Sequence, residues 1–148
     1  MNTKNILQSV GLALDGLNVA ACLFDAEDRC VIWNTSFLNL FPEHQDHVFE
    51  GEPYAENLRR FYQSRLSKEE LPNIDQYIQA GVARHKVQMR PFSFEHLGRY
   101  IEVSSVPLDN GYRLRVWSSR TVLDRLKPRD SLSPHEISQA LIAGHFSI

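Results

Sequence analysis

The sequence predicts an α+β fold: a five-stranded antiparallel sheet with its helices inserted between the second and third strands, and an amphipathic helix ahead of the first strand. Three observations predict it. Two short β-rich runs, VAACLFD and RCVIWN, lie close together near the start. Apolar stripes at helical spacing fill the middle of the chain, and three further strand-like runs joined by hairpin chemistry close it. No internal repeat or low-complexity segment interrupts this order.

The leading helix is expected over residues 4–17, where Leu7, Val10, Leu14 and Leu17 share a face. Ala26-Glu27-Asp28 then joins the first two strands as a compact hairpin. Asn34 stands where it can N-cap the short helix TSFLNLF, which Pro42 ends. After a polar loop at 43–53, Tyr54, Leu58, Phe61, Tyr62 and Leu66 form the stripe of a second inserted helix. A third follows, its start marked by Asn73 and Gln76 in capping-box spacing and its stripe by Ile74, Tyr77, Ile78, Gly81 and Val82. From Lys86 the pattern turns to strands, HKVQMRPFSFEH, GRYIEVSSVPL and GYRLRVWSS, separated by Leu97-Gly98 and Asp109-Asn110-Gly111. In the last strand Tyr112, Leu114 and Val116 alternate with Arg113, Arg115 and Trp117, giving one apolar and one mixed face.

A chain of 148 residues holds one ordinary domain with short extensions. With 43% hydrophobic and 23% charged residues it has material for a sizeable core, which excludes intrinsic disorder. A net charge of -2 without a basic block argues against nucleic-acid binding. Residues 43–75, with eight acids against four bases, read as a solvated helical face. Cys22 and Cys30 sit in apolar strand runs, as buried thiols do, rather than at metal-site spacing. His44 and His47 lack partnering ligands nearby, so no metal site is expected. No apolar run approaches the ~18 residues needed to span a membrane, and cytoplasmic residence is the expectation.

The residues now in view resemble a known family. LDGLNVAACLFDAEDRCVIWNTSFLNLF resembles the opening of PAS domains, in particular those attached to bacterial diguanylate cyclases and histidine kinases. GEPYAENLRR resembles their central helical stretch, and RPFSFEHLGRYIEVSSVPLDNGYRLRVWSSRT their closing three strands, so the likeness runs over roughly residues 10–121. Asn34 occupies the position between the second strand and the first inserted helix where the family commonly has Asn. Capping suffices to explain it. Ser119-Arg120-Thr121 stands where the family usually has Asp-Ile-Thr, the exit into a signalling helix; Thr121 is kept and Ser119 replaces the Asp. Asn34, Trp117 and Thr121 are accordingly assigned structural or signalling roles.

The resemblance implies a sensory or regulatory module of bacterial signal transduction with a small ligand cupped between sheet and helices. The residues it offers for that pocket are Phe61, Tyr62, Tyr77, Ile78, His85, Arg90 and Phe92. For the aromatics, ordinary core packing is the favoured reading. His85 and Arg90 are either paired near the pocket or turned to water, since a buried charge without a partner is costly. No cofactor is identified; the resemblance leaves open haem, through an axial His85, non-covalently held flavin, or an organic acid as ligand. A light-driven flavin adduct is disfavoured because both cysteines lie on the first two strands. The chain is expected not to be an enzyme: it has no phosphate-cradling Gly-rich loop, no Gly-x-Ser-x-Gly elbow and no His-Glu-x-x-His. A small cone-shaped α+β hydratase or isomerase is the competing class, and a ligand-free interaction module the alternative within the same fold.

The expected division is a helix for dimerisation or packing at 1–17, the sensory domain at 18–121 and a helical extension at 122–148. In the extension, Ser133-Pro134-His135-Glu136 combines an N-cap, a first-turn Pro and a Glu at the third helical position. A homodimer through Leu7, Val10, Leu14 and Leu17 and an attached or separate output partner are expected, with neither nucleic acid nor membrane as partner.

Overall fold

The computed structural model of the chain describes residues 3–120. Thr121, the extension at 122–148 and the helix expected from Ser133 lie outside the described residues. Helix α1 (Thr3–Asp15) leads into strands β1 (Val19–Phe24) and β2 (Cys30–Trp33). Helices α2 (Thr35–Leu40), α3 (Tyr54–Arg65) and α4 (Ile74–Val87) follow, and strands β3 (Phe92–His96), β4 (Arg99–Pro107) and β5 (Arg113–Arg120) close the domain. The sheet order is β2-β1-β5-β4-β3 with every pairing antiparallel, so the helices are inserted between strands 2 and 3 as expected.

Strand β1 is buried along its whole length because it is covered on both faces. Ala20, Cys22 and Phe24 enter the main core beneath the inserted helices, with Phe37, Phe41, Leu58, Ile101, Val103 and Trp117. Val19 and Ala21 point the other way and, with Val116, meet Leu14 and Val10 of α1. Helix α1 therefore lies on the outer sheet face, where Val10 and Leu14 are used within the chain. Leu17 falls in the turn after the helix and stays exposed, so the four leucine and valine positions do not form one free stripe.

Asn34 holds three elements together. Its Oδ1 accepts from the backbone N–H of Phe37, capping α2, and from that of Ala21 in β1, at 3.1 and 2.9 Å. Its Nδ2 donates to the carbonyls of Gly11 in α1 and Val19, at 3.1 and 2.9 Å. Asp15, at the end of α1, adds acceptors for the N–H groups of Thr35 and Ser36.

Two local expectations are corrected. Asn73 makes no side-chain cap at α4; a 3-10 turn over Leu71–Asn73 runs straight into the helix, so the first turn is satisfied by backbone instead. The pattern from Lys86 is also not strand at its beginning. Helix α4 continues to Val87, and β3 begins only after Pro91, which lacks the N–H a ladder needs. Arg113 seals that helix end, donating to the carbonyls of Lys86 and Gln88 at 2.9 and 3.0 Å. No helix among the described residues is long and apolar enough to cross a membrane.

Candidate functional site

Beneath the inner sheet face, the helices leave a cavity of about 170 Å³. Its walls are aromatic: Phe24 from β1, Phe37 and Phe41 from α2 and its end, Tyr54, Phe61 and Tyr62 from α3, Phe92 and Phe94 from β3, and Trp117 from β5. The rings pack edge-on or tilted, as the Phe41–Trp117 and Phe61–Phe94 pairs do at 5.4 and 6.2 Å. Gly81 lets α4 approach closely: a Cβ there would stand 2.6 Å from Leu58 Cδ1.

The polar complement is unusual in sign. Arg65, Arg84 and Arg115 line the cavity and no Asp or Glu does. Arg65 and Arg84 are exposed and lie over the rings of Phe61 and Phe92, at 5.5 and 5.7 Å. Arg115 also lies over rings, those of Tyr54 and Trp117 at 5.6 and 5.5 Å, but it is 5% exposed, on the inward face of β5. Its Nη1 donates to the Tyr54 hydroxyl at 2.7 Å and its Nη2 to Gln88 Oε1 at 2.9 Å, while its Nε has no partner. Gln88 is held for this task, since its Nε2 donates to the carbonyls of Arg90 and Val103 and leaves Oε1 for the guanidinium. Burial pushes the Tyr54 hydroxyl above its usual range, so it stays protonated at neutral pH.

His44 also reaches the cavity wall, stacked on Phe37 with centroids 5.2 Å apart. Burial, helped by Arg60, lowers its pKa to about 3, so it is a neutral ring. Arg60 Nη1 lies 2.9 Å from His44 Nδ1. The buried Glu52 accepts from Arg60 and Asn57, which neutralises that acid beside the wall.

Of the residues expected to hold a ligand, Phe61, Tyr62 and Phe92 line the cavity; Tyr77, Ile78, His85 and Arg90 do not. Tyr77 donates to Glu70 at the outer side of α4, and Ile78 is a core contact. Arg90 is exposed in the connection to β3, because the helix runs on past the point where a strand was expected. His85 is fully buried behind Tyr54, stacked on it at 3.9 Å and edge-on to Phe24 at 4.7 Å. Its Nδ1 is 3.0 Å from Asp28 Oδ1, at ion-pair distance although out of line for a hydrogen bond. Burial lowers its pKa, so the neutral ring dominates at neutral pH.

These placements do not fit haem or flavin. His85 is enclosed between two rings and directed at Asp28, which leaves no axial position toward the cavity. A space near the ~150 Å³ that accepts one benzene is also far too small for a porphyrin or a three-ring isoalloxazine. Among the described residues no three His, Cys, Asp or Glu side chains gather at metal-binding distance. Cys22 and Cys30 are free and buried, with Sγ atoms 3.9 Å apart. Burial, then the neighbouring Cys30, raises the Cys22 thiol well above its usual range, so it is unreactive.

The sequence profile described as the PAS fold matches residues 14–121. No curated protein matches the chain. Solved structures similar to it include the photoactive yellow protein domain from the sensor histidine kinase Ppr of Rhodospirillum centenum. That match has 14% identity and a TM-score of 0.43, and covers 73% of this chain and 91% of that one. Another is a sensory box sensor histidine kinase from Vibrio cholerae, at 14% identity and a TM-score of 0.37, covering 82% of this chain and 99% of that one.

Proposed function

The chain belongs to the PAS family of sensory signalling domains, and from that premise we propose that its input is a small ligand in the aromatic cavity and its output a change passed to a partner or attached domain in bacterial signal transduction. The observation that carries this reading is the cavity itself. A space of about 170 Å³ walled by rings and reached by a buried guanidinium suits a ligand of roughly six to ten heavy atoms. The strand that meets the ligand also has a way to report it. Arg115 and Trp117 face the cavity while Val116, between them, packs on Leu14 of α1, so a displacement of β5 acts at once on the outer helix. Beyond β5 the chain continues to Thr121 and the extension that would carry the signal out.

The test is native mass spectrometry of the freshly purified chain, joined to fluorescence of a Trp33→Phe variant, in which Trp117 is the sole tryptophan, during titration with a library of small aromatic and branched aliphatic compounds. A copurified species below about 200 Da, or saturable quenching by library members of the size the cavity accepts, supports the reading. A chain that carries nothing and responds to no compound refutes it.

Dimerisation through α1 is a second role that one observation favours. Ile6, Leu12 and Leu17 are 49, 71 and 60% exposed, although Val10 and Leu14 are covered by the chain's own sheet. Sedimentation velocity at high concentration should then show a dimer that Leu12→Glu weakens.

A further inference from the structure

We infer that the cavity selects a small monoanion, an aromatic or branched aliphatic carboxylate, and that Arg115 together with the Tyr54 hydroxyl binds the carboxylate. The inference rests on the reading that the cavity receives a ligand and adds the chemical class of that ligand.

A guanidinium has five N–H donors. Two of those on Arg115 are committed, to Tyr54 and Gln88, and both acceptors are neutral. Among the described residues no carboxylate oxygen comes within ion-pair distance of it, and its Nε is buried without a partner. The rings of Tyr54 and Trp117, 5.6 and 5.5 Å from its Cζ, offset part of the cost, but a charge withdrawn from water this far still has no counter-ion, and an anion in the cavity would supply one. Its Nη1 and Nη2 each keep a second N–H, on a group that lines the cavity, and a guanidinium fork can offer two such donors to a carboxylate's paired acceptors. Tyr54 accepts from Arg115, so its own hydroxyl proton is left for donation to the same anion.

The surroundings set the rest of the ligand. With no acid in the lining, nothing in the cavity wall repels an anion. One buried cation balances one negative charge; a phosphate dianion would bring a second charge among phenyl rings, and the other two arginines of the lining, Arg65 and Arg84, are exposed rather than buried with it. Arg65 and Arg84, exposed and positioned over Phe61 and Phe92, add positive potential that draws anions in. The body of the ligand then meets Phe37, Phe41, Phe61 and Trp117, which favour an apolar group of about one ring.

The experiment is calorimetric or NMR titration of the purified chain at pH 7.5 with benzoate, phenylacetate and 3-methylbutanoate, each against its primary amide. The amides match the acids in shape but lack the charge and carry an NH2 donor in place of one acceptor oxygen. The expected result is at least about tenfold tighter binding of one or more acids than of the matching amides, the scale of a hydrogen bond to a charged group. Arg115→Met should reduce that preference to within about threefold while the amides still bind. Amides that bind as tightly as the acids overturn the inference and leave ligand sensing intact, and this comparison needs only the unchanged chain should the variant fail to fold. A preference for acids that survives Arg115→Met also overturns it. If neither acids nor amides bind, the sensory reading of the cavity falls, and this inference with it.

Discussion

Asn34→Ala removes a side chain whose four hydrogen bonds join α1, β1 and α2 at one buried point. Losing the cap on Phe37 costs about 1 kcal/mol, as N-cap deletions do. The N–H of Ala21 and the carbonyls of Gly11 and Val19 each lose a hydrogen bond whose net worth is roughly 0.5–1.5 kcal/mol, since water can enter the space the side chain leaves. The sum is on the order of 3–4 kcal/mol, a large part of the 5–15 kcal/mol that holds a typical domain together. For a domain of this size that corresponds to a fall in Tm of about 10–15 °C. Urea unfolding followed by far-UV circular dichroism measures it, and the slope with denaturant should not change, because the folded state keeps its burial. Asn34→Ser separates the contributions: serine retains an N-cap oxygen but is too short to reach Gly11 and Val19, so it should recover only about 1 kcal/mol relative to alanine. A loss below about 1 kcal/mol in the alanine variant, or full recovery with serine, would mean that the ties to the sheet and α1 contribute little.

Tyr54→Phe takes the acceptor from a buried guanidinium and should cost about 1–3 kcal/mol in chemical denaturation, well above the few tenths expected if Arg115 simply turns to water. Gly81→Ala adds a methyl against Leu58 at 2.6 Å, so crowding outweighs the ~1 kcal/mol helix-propensity gain; combining it with Leu58→Ala should relieve the crowding, and additive losses in the double variant would show that the contact is not shared. Acid should also weaken the fold. Because burial and Arg60 hold His44 at about 3, below the ~6.5 of an unfolded histidine, the unfolded chain binds the extra proton first, and stability present above pH 6.5 is lost as pH falls toward 3. His44 alone then contributes a loss of roughly 3 kcal/mol between pH 6.5 and 4, and the lowered His85 and His96 act in the same direction. A urea midpoint unchanged between pH 7 and 4.5 would contradict this.

The fold was legible because its signals are local. Asp109-Asn110-Gly111 and Leu97-Gly98 specify tight turns, with Leu97, Gly98 and Gly111 all at positive φ, and period-two runs flank each turn. Asn34 was readable as a cap for the same reason, its partner being three residues away. The boundaries that failed depend on contacts distant in sequence. Whether His85, Lys86 and Val87 are helix or strand is decided by Arg113 fastening the carbonyls of Lys86 and Gln88, across a separation of 25 to 27 residues. The capping box failed because a 3-10 turn had already supplied the helix with its first backbone bonds.

The site was harder to read for a reason the alternation in β5 makes plain. Period two assigns Leu114 and Val116 to one face and Arg113, Arg115 and Trp117 to the other, but it does not say which face is inside. The usual rule sends the charged face to water. Here α1 covers the apolar face, so the mixed face is the one left to look into the cavity, and the arginine an ordinary reading leaves in solvent becomes the buried cation of the site. His85 failed in the opposite direction. Its place near the end of α4 suggested the pocket, yet Tyr54 stands between them, and a residue one helical face away from a cavity cannot be told from one lining it until the helices are packed. The leading helix is thus what leaves the mixed face of β5 to line the cavity. Shortening α1 should therefore disturb Arg115 and Trp117 even though neither touches it, because Val116 carries the contact through the strand.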